Sequence, residues 1–185
     1  MRAPIAAAWL FCAPIASAAP PPVFASRLEG DRALVLAPNE RVTLRLSPKG
    51  RLEIVSIDFA TVDGVLPPTP GRKAPERPGG NPFIDAPEGT IAFQMAQVDT
   101  TVMLKVENGT SSAFDYEAWI APGVPVGTLE PTSVCTALPL LAGFEQWPGR
   151  KATRLVLNRF QSKATNGVVC PQASGPPPQV VLPPA

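Results

Sequence analysis

An all-β fold, built as an antiparallel β-sandwich, is predicted by three features of this sequence. Apolar residues alternate with polar ones at a period of two through most of the apolar runs. Turn-forming residues separate those runs, and no stretch carries the spacing of an amphipathic helix. Seven or eight short strands result, without internal repeat.

The N-terminal stretch stands apart from that pattern. Arg2 precedes an apolar run through Ile5, Trp9, Leu10 and Phe11, and Ala16-Ser17-Ala18 then fits a signal-peptidase site, so residues 1–18 read as a cleaved export signal. A cut one residue later would place Pro20 directly after the scissile bond, where its missing N–H and fixed φ suit a peptidase poorly. As a membrane span the stretch falls short of the roughly 20 apolar residues a bilayer requires, and Pro14 interrupts it. Cys12 is not a lipoprotein cysteine, because bulky Trp9, Leu10 and Phe11 precede it.

After such a cut, 167 of the 185 residues remain, enough for one domain with its own core and hardly for two. Losing Arg2 leaves 15 cations against 15 acids. A balanced chain has no global attraction for nucleic acid or anionic lipid. Cleavage also discards Cys12, so Cys135 and Cys170 are alone in an oxidising compartment and are expected to pair. Closing a loop of that size is worth about 3 to 4 kcal/mol in the chain-entropy model. Redox dithiols usually sit two residues apart, which these do not.

Residues 19–31 form a leader opened by Pro20-Pro21-Pro22, and the domain proper is expected over 32–170. Leu34 and Leu36 precede Pro38-Asn39, after which Val42, Leu44 and Leu46 alternate with Thr43, Arg45 and Ser47 as one buried strand face. Pro48-Lys49-Gly50 is a turn by residue type. The apolar register of Leu52, Ile54, Ile57 and Phe59 slips once, which predicts a β-bulge near Val55 and Ser56.

Seven prolines between residues 67 and 87 make 61–89 a long loop, partly disordered, since no regular element can run through them. Ile91, Phe93 and Met95 form the next strand, and Val102, Leu104 and Val106 follow after Asp99-Thr100. Asn108-Gly109 then predicts a hairpin into Phe114, Tyr116, Ala118 and Ile120, with Asp115, Glu117 and Trp119 on the opposite face. Residues 134–141 suggest a strand broken by Pro139, and 143–149 a turn-rich piece. Leu155 and Leu157 point inward from the last strand, 152–160, while Arg154 and Asn158 face out. Residues 171–185 contain six prolines and read as a flexible tail.

Over residues 32–170 this succession resembles exported immunoglobulin-like and fibronectin-like modules at the level of the fold class. It departs from the antibody pattern, because Trp147 lies only 12 residues after Cys135 and the cysteine pair closes a short segment. Such a resemblance implies a fold and no particular activity.

No histidine is present, which removes the commonest general base, the commonest zinc ligand and every Ser-His or Cys-His pairing. Asp115 and Glu117 share a strand face but alternate with Phe114 and Tyr116 as a solvated face should. Asp58, Asp63, Asn81, Asp85 and Glu88 offer oxygen ligands without the Asp-rich calcium loop. Gly79-Gly80-Asn81-Pro82 lacks the Lys-Ser or Lys-Thr pair of a phosphate loop, and Ser111 and Ser112 lack elbow glycines. No enzyme, cofactor or metal site is expected.

Charge is unevenly placed. Residues 83–145 hold eight acids and only Lys105, whereas 146–185 carry Arg150, Lys151, Arg154, Arg159 and Lys163 with no acid. The plain reading lays the basic last strand beside the acidic hairpin. The sharper reading is a basic edge of Arg150, Lys151 and Arg154 that meets an anionic envelope component. Trp119 on its polar face, and Trp147 beside Phe144, are candidate contact or sugar-stacking surfaces, while the plainer reading folds Trp147 back over the core near the disulfide and lays Trp119 over the sandwich edge. Asn108-Gly109-Thr110 is also a glycosylation sequon. Together these features predict a periplasmic or secreted non-enzymatic module that binds a protein partner, a polysaccharide or an anionic lipid. Its loop, its tail and the Trp147 turn would make the contacts. The alternative is a carbohydrate-binding module that uses its tryptophans.

Overall fold

The alternating pattern folds as two antiparallel sheets in a computed structural model that describes residues 24–66, 84–123, 127–164 and 167–182. The export signal, Asn81 and the centre of the 61–89 loop lie outside the described residues. In chain order the strands are β1 (Arg27–Glu29), β2 (Ala33–Leu36), β3 (Glu40–Leu46), β4 (Leu52–Phe59), β5 (Ile91–Val98), β6 (Thr101–Asn108), β7 (Ala113–Ala121), β8 (Glu130–Thr132), β9 (Leu141–Pro148) and β10 (Arg154–Lys163). One sheet runs β1-β2-β10-β7-β8 and the other β4-β3-β5-β6-β9. A 3-10 turn at Val62–Val65 is the sole helical element among the described residues, and no helix there is long and apolar enough to cross a membrane.

Both sheets turn their apolar rows toward one shared cluster. Leu34 and Leu36 of β2, Leu155 and Leu157 of β10 and Ile120 of β7 meet Val42 and Leu44 of β3, Phe93 and Met95 of β5 and Leu104 of β6. Its centre is aromatic. The rings of Phe93, Phe114, Tyr116 and Phe160 lie with centroids 5.6 to 6.3 Å apart, mostly tilted or edge-on, with Tyr116 and Phe160 stacked. Such pairs add about 0.5 to 1.5 kcal/mol each beyond the area they bury.

Two bulges set which side chains reach that centre. In β4, Thr43 pairs with Ser56 and Leu44 with Ile54, so Val55 is the extra residue, where the slip in apolar register predicts it. In β10, Asn158 pairs with Glu117 and Gln161 with Asp115, which leaves Arg159 and Phe160 together opposite Tyr116. Arg159 adopts a left-handed φ of 53°. The extra residue turns Phe160 inward, where strict alternation after Leu155 and Leu157 would have placed Arg159.

Several expectations are corrected. The predicted hairpin from β6 into β7 does not form, because β6 pairs with β5 and β9 while β7 pairs with β10 and β8. Residues 109–112 carry the chain from one sheet to the other. The Asn108 side chain shapes that crossing, its Nδ2 donating to the Ser112 and Ala137 carbonyls and its Oδ1 accepting from the Thr110 N–H. Gly109 serves close approach rather than positive φ, since a Cβ there would lie 2.5 Å from the Pro87 carbonyl oxygen.

The turn-rich piece around Trp147 belongs to strand β9, which begins at Leu141, and 134–140 holds one isolated bridge, at Ala137. An edge strand tolerates Gly143 and Pro148, because one of its sides has no ladder to disrupt. A strand also forms inside the expected leader, at β1. Asp99-Thr100 does join β5 to β6 as a two-residue turn, with Asp99 at φ 51°.

The tail is not free along its described part. Ser133 bridges Gln172, the Ala173 N–H donates to the Thr132 carbonyl, and Arg27 donates to the carbonyl of Val181. Ala173, Val180 and Leu182 pack with Val35, Val156 and Trp119, the apolar row on the outer face of the first sheet. An apolar row of that kind must be covered, and the tail supplies the cover. The outer face of the second sheet is covered in a similar way by the two ends of the 61–89 loop. Val65 packs on Ala96 and Met103, the Gln94 amide donates to the Thr61 carbonyl, and the Asp85 N–H donates to Glu107.

Cys135 and Cys170 are bonded to one another. The bridge ties the segment after β8 to the start of the tail, where the Thr136 N–H also donates to the Val169 carbonyl at 2.9 Å.

Left-handed backbone costs a β-branched residue far more than glycine. Arg159→Val is therefore expected to lower unfolding free energy by about 2 kcal/mol more than Arg159→Gly, measured by denaturant titration. Equal losses would place the strain elsewhere. Removing residues 171–185 uncovers Trp119, so its emission is expected to shift to the red relative to a Trp119→Phe control.

Candidate functional site

The six surface residues singled out by sequence do not converge on one site. Trp119 is 3% exposed beneath the tail, and Trp147 is 9% exposed, turned inward from β9 with its Nε1 donating to the Ser133 carbonyl. Trp147 thus folds back on the core, as the plainer reading of the sequence has it, and the exposed alternative for Trp119 is corrected. Each has an apolar row to fill, and a stacking platform needs a bare ring face. Phe144 is half-buried on the other side of β9.

The basic edge is likewise taken up within the chain. Arg150 pairs with Glu130 at 2.6 Å, and Arg154 Nη1 donates to the Thr153 carbonyl. Lys151 alone of the three is exposed without an ion pair among the described residues. On β7 and β10 the plain reading of the charge asymmetry is realised: Lys163 meets Asp115 at 3.0 Å and Arg159 meets Glu117 at 2.9 Å. Pairs this exposed contribute a few tenths of a kcal/mol up to about 1.

Concavity occurs instead at the opposite end of β10. An open groove of about 740 Å³ is lined by Arg32 and Ala33, by Ser47, Pro48, Lys49 and Gly50 of the β3–β4 turn, by residues 158–162 of the bulge and by Pro178 of the tail. Pockets that bind small molecules commonly measure about 300 to 1,000 Å³.

Local chemistry builds each wall. Gly50, at φ 72°, closes the β3–β4 turn, its N–H donating to the Ser47 carbonyl. A Cβ on Gly50 would lie 3.1 Å from the Phe160 carbonyl oxygen, so glycine lets the turn dock on the bulge. The Arg159 guanidinium holds the bulge to both Glu117 oxygens and to the Ser174 carbonyl, which fixes the tail beside it. Arg32 is 75% exposed at the rim, 3.7 Å from an Asp31 carboxylate that Arg51 holds more closely, at 3.2 Å. Lys49 is exposed and makes no ion pair among the described residues.

The lining thus carries three cations, Arg32, Lys49 and Arg159, with the amides of Asn158 and Gln161 and the hydroxyls of Ser47 and Ser162. No carboxylate, cysteine or histidine lines it. Asn158 Oδ1 is buried there without a hydrogen-bond partner. Such an array can hold an anion and polar groups by charge and hydrogen bonds, and it contains no evident proton acceptor for general-base chemistry. Among the described residues no three Asp, Glu or Cys side chains gather to hold a metal ion.

Buried Glu107 and half-buried Glu145 shape the field elsewhere. Burial pushes the Glu107 carboxyl up, but the Lys105 ammonium and the Arg41 guanidinium beside it outweigh that effect and hold it below its usual range. Glu145 lies on the inner side of β9, where burial raises its pKa against the opposing hydrogen bond from the Cys135 N–H. Burial first, and then the charge of Glu145, push the Tyr116 hydroxyl well above its usual value.

The groove was missed because its cations stand far apart in the sequence. One signal was available: Phe160 breaks the alternation of Leu155 and Leu157 as Ile57 breaks that of Ile54, which marks a second bulge.

Glu145 also gives a pH signature. Its folded pKa lies above the ordinary value of 4.5, so the stability it contributes is complete below that value and is lost as pH rises through the folded pKa. Wild type is expected to lose stability against Glu145→Gln as pH climbs from about 4.5, read by thermal unfolding at each pH. Parallel curves would contradict this. Scans against protein-family models, curated proteins and solved structures return no match, so the groove is interpreted from its own geometry.

Proposed function

We propose that this chain is an exported, non-enzymatic β-sandwich of immunoglobulin-like character that binds a component of the cell envelope, with the groove of Arg32, Lys49 and Arg159 as its contact surface. The groove is the observation that carries the reading, because it gathers cations and neutral polar groups in a concavity without a catalytic base. The cleavable-looking N-terminal stretch supports export, and the Cys135–Cys170 bridge suits the oxidising periplasm or exterior. The absence of a spanning helix among the described residues is compatible with a role at or near a surface rather than through it. Two antiparallel sheets over one shared core are compatible with such a sandwich.

The contact elements expected from sequence move accordingly. Trp147 and the described part of the tail are engaged in packing, and Pro178 remains as a groove wall.

Protein recovered from the exported fraction is expected to begin at Ala19 and to yield a Cys135–Cys170 linked peptide by mass spectrometry. It should be retained by an isolated envelope fraction at low salt. The double variant Arg32→Glu, Lys49→Glu is expected to lose at least tenfold in retention with an unchanged unfolding midpoint. Retention equal to wild type would overturn the reading.

A further inference from the structure

Resting on the reading of the groove as a contact surface, we infer that its ligand is an acidic saccharide, a sugar whose ring hydroxyls stand next to a carboxylate or phosphate. Three properties of the lining select this class. Arg32 and Lys49 stand at a groove whose lining holds no acid, which favours a negative group. Lys49 has no ion pair among the described residues, and the only acid paired with Arg32 there is the Asp31 shared with Arg51, so an incoming anion displaces little. Arg159 is already held by Glu117 and acts by keeping the bulge in place.

The second property is the Asn158 amide. Its side chain lines the wall, but its Oδ1 is closed to solvent, so a ligand meets this residue at its remaining surface, next to the polar side chains of Gln161, Ser47 and Ser162. A fully ionised carboxylate brings only acceptors. A sugar hydroxyl both donates and accepts, which suits a wall of neutral amides and hydroxyls from Asn158, Gln161, Ser47 and Ser162.

The third property is what the groove lacks. Phe160 lines it but directs its ring into the core, where it stacks on Tyr116, so no bare aromatic face awaits a neutral sugar. The proline rings of Pro48 and Pro178 offer small apolar edges for the C–H face of a pyranose. Nor does the lining present the long apolar channel that an acyl chain would need. Affinity must come from charge, and selectivity from hydroxyl recognition.

The experiment is calorimetric titration of the disulfide-bonded mature protein with four probes at low salt: trigalacturonate, glucose 6-phosphate, maltotriose and inorganic phosphate. At least one of the two acidic sugars is expected to bind ten or more times tighter than maltotriose and inorganic phosphate, and comparison of the two identifies carboxylate or phosphate as the anionic group. Lys49→Glu should weaken that binding at least tenfold. Asn158→Ala should weaken it about fivefold and leave the weak binding of inorganic phosphate unchanged, which a merely structural role for Asn158 would not do. Thermal unfolding checks that each variant is folded.

Equal binding of maltotriose, equal binding of inorganic phosphate, no binding of either acidic sugar, or indifference to Lys49→Glu would each overturn the inference. If envelope retention still depends on Arg32 and Lys49 while acidic sugars fail to bind, the ligand class is wrong and the contact surface stands. If retention is also indifferent to those residues, both fail.

Discussion

A single extra residue in β10 decides both the inside and the outside of this molecule. Arg159 takes the left-handed conformation that glycine would adopt at lower cost, and by doing so it advances Phe160 by one position into the aromatic centre. Without that step the strand would direct a guanidinium toward Phe93 and Tyr116, where burying an unpaired charge is prohibitive. The same step leaves Asn158, Gln161 and Ser162 along a wall that the β3–β4 turn can approach. Core packing and the concave surface therefore share one backbone distortion, and the Glu117 and Ser174 contacts of Arg159 hold it in place.

The second organising constraint is that neither sheet has a fully polar outer face. Val35, Val156 and Trp119 on one side, and Ala96 and Met103 on the other, would expose apolar rows if the sheets stood alone. The chain covers the first with residues from its Pro-rich end and the second with the 3-10 turn. Proline suits such cover, because an extended segment loses little further entropy on docking and needs no ladder of its own. Stretches whose composition suggests looseness thus act as an outer layer. Burial of Glu107, at 2% exposure, belongs to that layer too: the acid is tolerable there because Arg41 and Lys105 converge on it.

Local pattern was legible wherever one residue's neighbours decide its state. The slip between Ile54 and Ile57 located the bulge at Val55, Asp99-Thr100 located a tight turn, and two cysteines in a chain with a cleavable-looking N-terminus implied their bridge. Pairing across the sheets was less legible. Asn108-Gly109 is the residue pair of a hairpin turn, yet here the asparagine side chain makes the bend and the glycine admits the Pro87 carbonyl, so one dipeptide serves a different geometry. Gly143 and Pro148 argue against a strand only where both sides of it are paired, and the sequence does not state that β9 is an edge. The groove was the least legible feature, since Arg32, Lys49 and Arg159 meet only once β1, β3 and β10 have been placed by their core faces. Exposure of Trp119 was left open because period-two alternation distinguishes the two faces of a strand but not whether a later segment lies over one of them.

The position of the disulfide has a mechanical consequence. Cys170 stands where the covering segment leaves the body, and every contact that segment makes with the first sheet comes after it. Tension applied near Leu182 would peel the segment back bond by bond, past Val181 and Ala173, each contact yielding in turn at low force. At Cys170 peeling stops, because the sulfur bridge ties that residue to Cys135, just past β8. The fold therefore carries a soft extension in series with a stiff anchor.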